Sequence, residues 1–166
     1  MLLPVPTTED PNEPLHGQRF RRQSGLLLED AMSLQQILQP HGWMRPRGFS
    51  NGVKAKGTLV FTGGQIGWDS QCRFASLDLA GQVRQTLSNI LEILAVAGAG
   101  PEHVVRLTWY VADKREYLAR SKEIGAAYRA VMGHHYPAMA VVQVAELVED
   151  AARVEIEATA VIPDAD

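Results

Sequence analysis

Two glutamates stand two residues apart in Val154-Glu155-Ile156-Glu157-Ala158, close to the end of a 166-residue chain. Successive side chains of a strand point to opposite faces. Glu155 and Glu157 therefore share one face, and Val154, Ile156, Ala158 and Ala160 share the other. A carboxylate partly buried among apolar groups suits general acid–base work, taking a proton from water and returning it to a leaving group. An ordinary solvated strand glutamate is the competing reading, and the residue pattern alone leaves both open.

Other motifs carry less chemistry. Gly48-Phe49-Ser50-Asn51-Gly52 matches G-x-S-x-G, but a nucleophile elbow needs a strand before the serine and a helix after it. Here Pro46-Arg47 precede it and a strand pattern follows, so the segment reads as a loop. Gly63-Gly64-Gln65-Ile66-Gly67 follows a strand without opening a helix, which excludes a phosphate-binding loop. His134 and His135 are neighbours with no acidic or cysteine partner at helical spacing, and read as helix-end cations rather than metal ligands. Trp68, Trp109 and Tyr110 could line a cleft, although such residues more often fill a core or an interface.

The elements that must position these groups are legible from Met32 onward. Residues 1–31 combine Pro4, Pro6, Pro11 and Pro14 with polar residues and an Arg-Phe-Arg-Arg run. They read as a flexible extension, with a short amphipathic turn at Leu26-Leu27-Leu28 and an alternative start at Met32. Residues 32–166 form the single domain. Ser33 to Gln39 predicts a short strand. Val53–Lys56, Gly57 and Thr58–Thr62 predict a hairpin with the glycine at its turn. Leu79, Val83, Leu87, Ile90 and Leu94 recur at helical spacing, with Ser76 as N-cap and Gly98 as C′ residue. Val104–Val111 predicts a strand, and Asp113 caps a helix carrying Tyr117, Ile124, Tyr128 and Val131 up to Gly133. Ala138–Val144 and Arg153–Ile162 are two more strands. The order β-β-β-α-β-α-β-β predicts an α+β fold, a mixed six-stranded sheet with two helices on one face.

Composition narrows the function. A net charge of −3 supplies no field for a polyanion, so nucleic acid is not expected as a partner. The single cysteine, Cys72, excludes an intramolecular disulfide and fits a reducing compartment. No apolar run spans a bilayer and the first residues lack a signal-peptide pattern, so a cytoplasmic protein without a membrane partner is expected. In Ala138–Val144 one face is Ala138, Ala140, Val142 and Val144, and the other is Met139, Val141 and Gln143, nearly as apolar. Two helices cover only one face of a sheet, so the Met139–Val141–Gln143 side is expected to be covered by another subunit.

From about Leu34 to Ile162 the chain resembles the RidA/YjgF family of reactive-intermediate deaminases. The family's opening G-P-Y-S-Q-A-V-like segment stands in altered form as Arg47-Gly-Phe49-Ser50-Asn51-Gly-Val53. Its Gly-Gln strand end is Val60-Phe-Thr-Gly63-Gly64-Gln65-Ile66-Gly67, and its helix rhythm is Gln82-x-x-Gln85-x-Leu87-x-Asn89-Ile90. Pro137-Ala138 through Val144-Ala145 and Val154-Glu155-Ile156-Glu157-Ala158 complete the series. The resemblance implies a homotrimer of chorismate-mutase-like subunits with clefts between them. It also implies cofactor-free hydrolysis of a small-molecule enamine or imine to a ketone and ammonia. By family position, Glu155 and the backbone at Gly64 handle the water. Phe49, Gly63, Gln65, Ser121 (or its neighbour Lys122), Met139 and Val141 fall at substrate-binding positions.

One departure matters most. The family's arginine after Pro-Ala, which pairs with the substrate carboxylate, is Met139 here. Methionine replaces two charge-assisted hydrogen bonds, each worth roughly 1.5–3 kcal/mol, by a soft apolar contact. The expected substrate is accordingly not a small 2-imino acid, unless Arg47, Arg73 or Arg106 supplies the cation. The alternative is a non-catalytic ligand-binding or protein-stabilising trimer of the same fold.

Overall fold

The computed structural model describes residues 35–164. The extension over 1–31, the turn at Leu26–Leu28 and Met32 lie outside the described residues. The apolar stripe makes helix α1, Leu79–Val96, and none of its five stripe residues is more than 1% exposed. Asp78 caps this helix in place of Ser76: its carboxylate accepts from the Gly81 N–H at 3.0 Å. Ser76 supports the cap by donating its hydroxyl to the same carboxylate at 2.6 Å. The Ser76 hydroxyl first, and then the Gly81 N–H, hold the Asp78 carboxyl below its usual 3.8. A depressed value stabilises the fold above the unfolded pKa, and that contribution is lost as pH falls through the folded one. An Asp78→Asn chain should therefore lose less stability than wild type below about pH 4 in acid-unfolding curves.

Gln82, fully buried in the first turn of α1, clamps the helix to the loop before the last strand. Its Nε2 donates to the Ala151 carbonyl at 2.8 Å, and its Oε1 accepts from the Arg153 N–H at 2.8 Å. Gln82→Leu would leave both backbone groups without partners. The expected cost is about 2–4 kcal/mol, at about 1–3 per orphaned group, read from urea midpoints.

The strands assemble differently from the expected hairpin. Strand β2 (Val53–Ala55) pairs antiparallel with β1 (Gln35–Ile37), whereas β3 (Thr58–Phe61) pairs antiparallel with β7 (Val154–Ile162). Gly57 lies between them at φ +143°, so close to Ile162 that a Cβ would stand 2.0 Å from its carbonyl oxygen. The glycine thus switches the chain from one sheet to another, where a side chain would collide with backbone. Strand β4 (Gln65–Ile66) continues along β7 beyond β3. With β5 (Val104–Val111) and β6 (Ala138–Gln143), the main sheet has five strands, ordered β3-β7-β5-β6 with β4 also on β7. It is mixed, because β5 and β6 run parallel. A six-stranded sheet is therefore replaced by five strands plus a two-stranded ribbon.

The helix opened by Asp113 is in fact two, α2 (Lys114–Ala119) and α3 (Ser121–Met132), interrupted at Arg120. The break sets the Arg120 guanidinium among Asp78, Glu116 and Glu123. Helices α1 and α3 pack on each other, and both contribute to the core under the sheet.

That arrangement reverses the expected faces. Met139 pairs with Leu107 and Val141 with Trp109, so both point to the helix side and pack on the core. The uncovered face carries Ala140, Val142, Tyr110, Glu155 and Glu157, together with Leu59 and Phe61, which are 57% and 68% exposed. Alternation tells which side chains share a face; only the packing tells which face the helices take. The apolar surface that asks for cover exists, on the side opposite to Met139.

Candidate functional site

Strands β5 and β6, helices α2 and α3 and the 47–49 loop enclose a cleft of about 580 Å³. Phe49, Ser121, Met139 and Val141, picked out separately in the sequence, all line it. Its wall is aromatic. Tyr128 stacks on Tyr136 at 5.5 Å and 10°, and on Trp109 at 6.3 Å and 30°, while Tyr117 meets Trp109 edge-on at 6.5 Å. Burial raises the pKa of the Tyr117 and Tyr128 phenols, Tyr136 adding to the effect at Tyr128. Both rings stay neutral across physiological pH, and the Tyr128 hydroxyl donates to the His135 carbonyl at 2.6 Å. The Trp109 Nε1–H is buried with no acceptor among the described residues.

Two arginines, Arg47 and Arg129, line the same cleft, and no carboxylate does among the described residues. Of the three cations considered from sequence, only Arg47 is there. Arg73 is paired with Asp69 at 3.1 Å, and Arg106 lies on the open sheet face across from Thr159. Sequence reasoning missed Arg129 and the tyrosines. Their signal was the helical spacing of Ser121, Gly125, Tyr128 and Arg129, which sets them along one side of α3.

The remaining predicted residues gather elsewhere. Glu155 is half-buried on the open face, and its carboxylate lies against Gly64: a Cβ there would be 1.8 Å from Oε1. No hydrogen bond or ion pair engages this carboxylate among the described residues. Tyr110, its cross-strand neighbour, instead donates to Glu157 Oε1 at 3.2 Å. Burial first, then the Glu157 carboxylate, raise the Tyr110 pKa and keep that phenol a donor. Gln65 folds back on its own loop, its Nε2 donating to the Gly64 carbonyl at 3.1 Å. Within one chain, then, Glu155 and Gly64 sit on one side of the sheet and Met139, Val141 and Ser121 on the other.

The motif residues of α1 hold loops in place. Asn89 Nδ2 donates to the carbonyls of Ile66 and Trp68 at 3.1 and 2.8 Å, anchoring the chain after Gly64. Ser50 donates its hydroxyl to the Tyr136 carbonyl at 2.5 Å, which ties the 47–50 loop to the cleft wall. His135 Nε2 lies 2.7 Å from the Val104 carbonyl. Among the described residues no cluster of His, Cys, Asp and Glu has the makings of a metal site, and no helix is long and apolar enough to cross a membrane.

Residues 44–162 match the family model described as Endoribonuclease L-PSP. A 2-iminobutanoate/2-iminopropanoate deaminase of Salmonella typhimurium is 34% identical over 108 residues, which is 63% of this chain and 80% of that protein. Among solved structures, the Rid-family protein YyfB of Yersinia pestis superposes with a TM-score of 0.66 at 32% identity, covering 78% of this chain and 99% of that one. The YjgF gene product of E. coli gives a TM-score of 0.55 at 33% identity, covering 68% and 87%.

Proposed function

Because this chain belongs to the Endoribonuclease L-PSP family of RidA/YjgF proteins, we propose that it hydrolyses an enamine or imine to a ketone and ammonia without a cofactor. The sites are clefts between neighbouring copies of a homotrimer. The observation that carries this reading is the Glu155 carboxylate seated on Gly64, half-buried and without a partner of its own among the described residues. A carboxylate left free in this way can exchange a proton with a bound water.

The chemistry balances with water alone. The enamine takes a proton on carbon while its nitrogen gives one up, becoming an imine, and water adds across the C=N bond. The resulting carbinolamine expels ammonia and leaves a carbonyl. Glu155 accepts a proton from the attacking water and passes it to the departing nitrogen, so the carboxylate is regenerated. The backbone of Gly63 and Gly64 positions the water, while Phe49, Ser121, Met139 and Val141 hold the organic part.

Glu155 and Met139 occupy opposite sides of one sheet, so a single copy cannot bring them to one substrate. Covering the open apolar face with a second copy supplies the missing half, and a closed ring of three uses every such face. The relatives named as deaminases support the reaction class. The family is described as an endoribonuclease, but a net charge of −3 offers little to RNA phosphates.

Ammonia release from a panel of enamines, generated in situ, tests the reading alongside the mass of the particle in light scattering. Turnover of larger enamines by a trimer is expected; a silent panel overturns the deaminase. Met139→Arg adds a fork that pairs with a small carboxylate. It should raise kcat/KM for 2-iminopropanoate by tenfold or more, about 1.4 kcal/mol. A second reading, a ligand-binding trimer without turnover, rests on Met139 itself, and specific binding with no ammonia release from any substrate would select it.

A further inference from the structure

We propose that the cleft recognises an anion attached to a flat, conjugated or aromatic body, and that Arg129 on α3 holds the anionic group, with the exposed Arg47 as a second cation. This names the substrate class for the site described above and rests on that cleft being its organic-binding half.

The charge distribution points this way first. Three other arginines are committed: Arg120 to Glu123 and Asp78, Arg153 to Glu116 at 2.8 Å, and Arg73 to Asp69. Arg129 and Arg47 make no side-chain hydrogen bond or ion pair among the described residues, and the cleft they line contains no carboxylate. Two uncompensated guanidiniums facing one cavity attract an anion, and the planar fork suits a carboxylate.

Shape supports the position of Arg129. Long helical side chains lean toward the N-terminus of their helix. The Arg129 guanidinium does so, passing over Gly125 four residues earlier; a Cβ on that glycine would lie 3.4 Å from its Nη1. Ser121, Gly125 and Arg129 all line the cleft. The cation thus enters from the helix wall, whereas the arginine implied by the family would enter from the strand at Met139.

The rest of the cavity fits a planar body. The stack of Trp109, Tyr128 and Tyr136 forms one side, and Met139 and Val141 form an apolar strand side. A volume of about 580 Å³ lies within the roughly 300–1,000 Å³ of sites for drug-sized ligands. Trp109 and Tyr128 are buried against each other, so the partly exposed Tyr117 and Tyr136 are the aromatic surface that a ring or conjugated chain meets and a three-carbon imino acid would leave bare.

Calorimetric titration of the full chain with trans-cinnamate, cinnamide and propanoate tests the proposal without requiring turnover. Cinnamate is expected to bind at least tenfold tighter than either control. Arg129→Gln should weaken cinnamate at least tenfold and leave cinnamide unchanged, and Arg129→Lys should recover part of the loss; unchanged thermal unfolding of both variants excludes a folding defect. No cinnamate binding by wild type, equal binding by Arg129→Gln, or propanoate binding as tightly as cinnamate would each overturn it. Arg129-dependent binding with no ammonia release from any enamine keeps the anion site and removes the deaminase. Turnover that is indifferent to Arg129 does the reverse.

Discussion

Glu155→Gln should lower kcat for ammonia release by about 10²- to 10⁴-fold, the usual contribution of a positioned general acid–base group. The amide keeps the size of the carboxylate but cannot take the proton of the attacking water. The loss is expected in kcat with KM little changed, because we propose that the organic part is held by cleft residues of the neighbouring copy. Gly64→Ala is the companion variant. A Cβ 1.8 Å from Glu155 Oε1 forces the carboxylate out of its seat while leaving its chemistry intact. It should approach the defect of Glu155→Gln, and the double variant should be little worse than either alone, since residues acting as one unit are not additive. Steady-state assays on the best enamine of the panel decide the matter. Activity within threefold of wild type in Glu155→Gln would remove this residue from the mechanism.

The second large effect concerns assembly. Ala140 lies on the open face between Thr108 and the sheet edge, with Val142 following on the same side. Ala140→Glu places a charge in the surface we propose to be covered by another copy. Burying an unpaired carboxylate costs several kcal/mol even after relaxation, at each equivalent interface. The side chain projects away from the Leu107, Trp109 and Val111 core, so the protomer itself should still fold. Light scattering is expected to change from trimer to monomer, and ammonia release should vanish with Glu155 still present. A monomer that retains wild-type kcat would show that one copy is sufficient, and the shared cleft would have to be abandoned.

Much of the fold could be read from side-chain period alone. The α1 stripe and the alternation of Val154, Ile156, Ala158 and Ala160 both proved to be core. These signals survive in a single sequence because each depends on local geometry, 3.6 residues per turn or two per pleat. Turn chemistry was less transparent. Gly57 carries the positive φ that a hairpin would demand, but the demand comes from the Ile162 carbonyl, over a hundred residues further along the chain. Likewise Ser76 looked like a helix cap and instead steadies Asp78, because capping geometry depends on where the helix starts to within one residue.

By itself the sequence determined the α+β class, the apolar faces of α1 and β7 and the family, and it singled out Glu155 as the proposed acid–base group. Tertiary structure alone decided which face of β6 meets the helices, that Met139 and Glu155 stand on opposite sides of the sheet, and that Arg129 and not Arg73 or Arg106 shares a cleft with Phe49. The reason is physical. Period and propensity are properties of neighbours along the chain, whereas a cleft is made by strand register and helix packing between residues far apart in it, and many such arrangements share one local pattern.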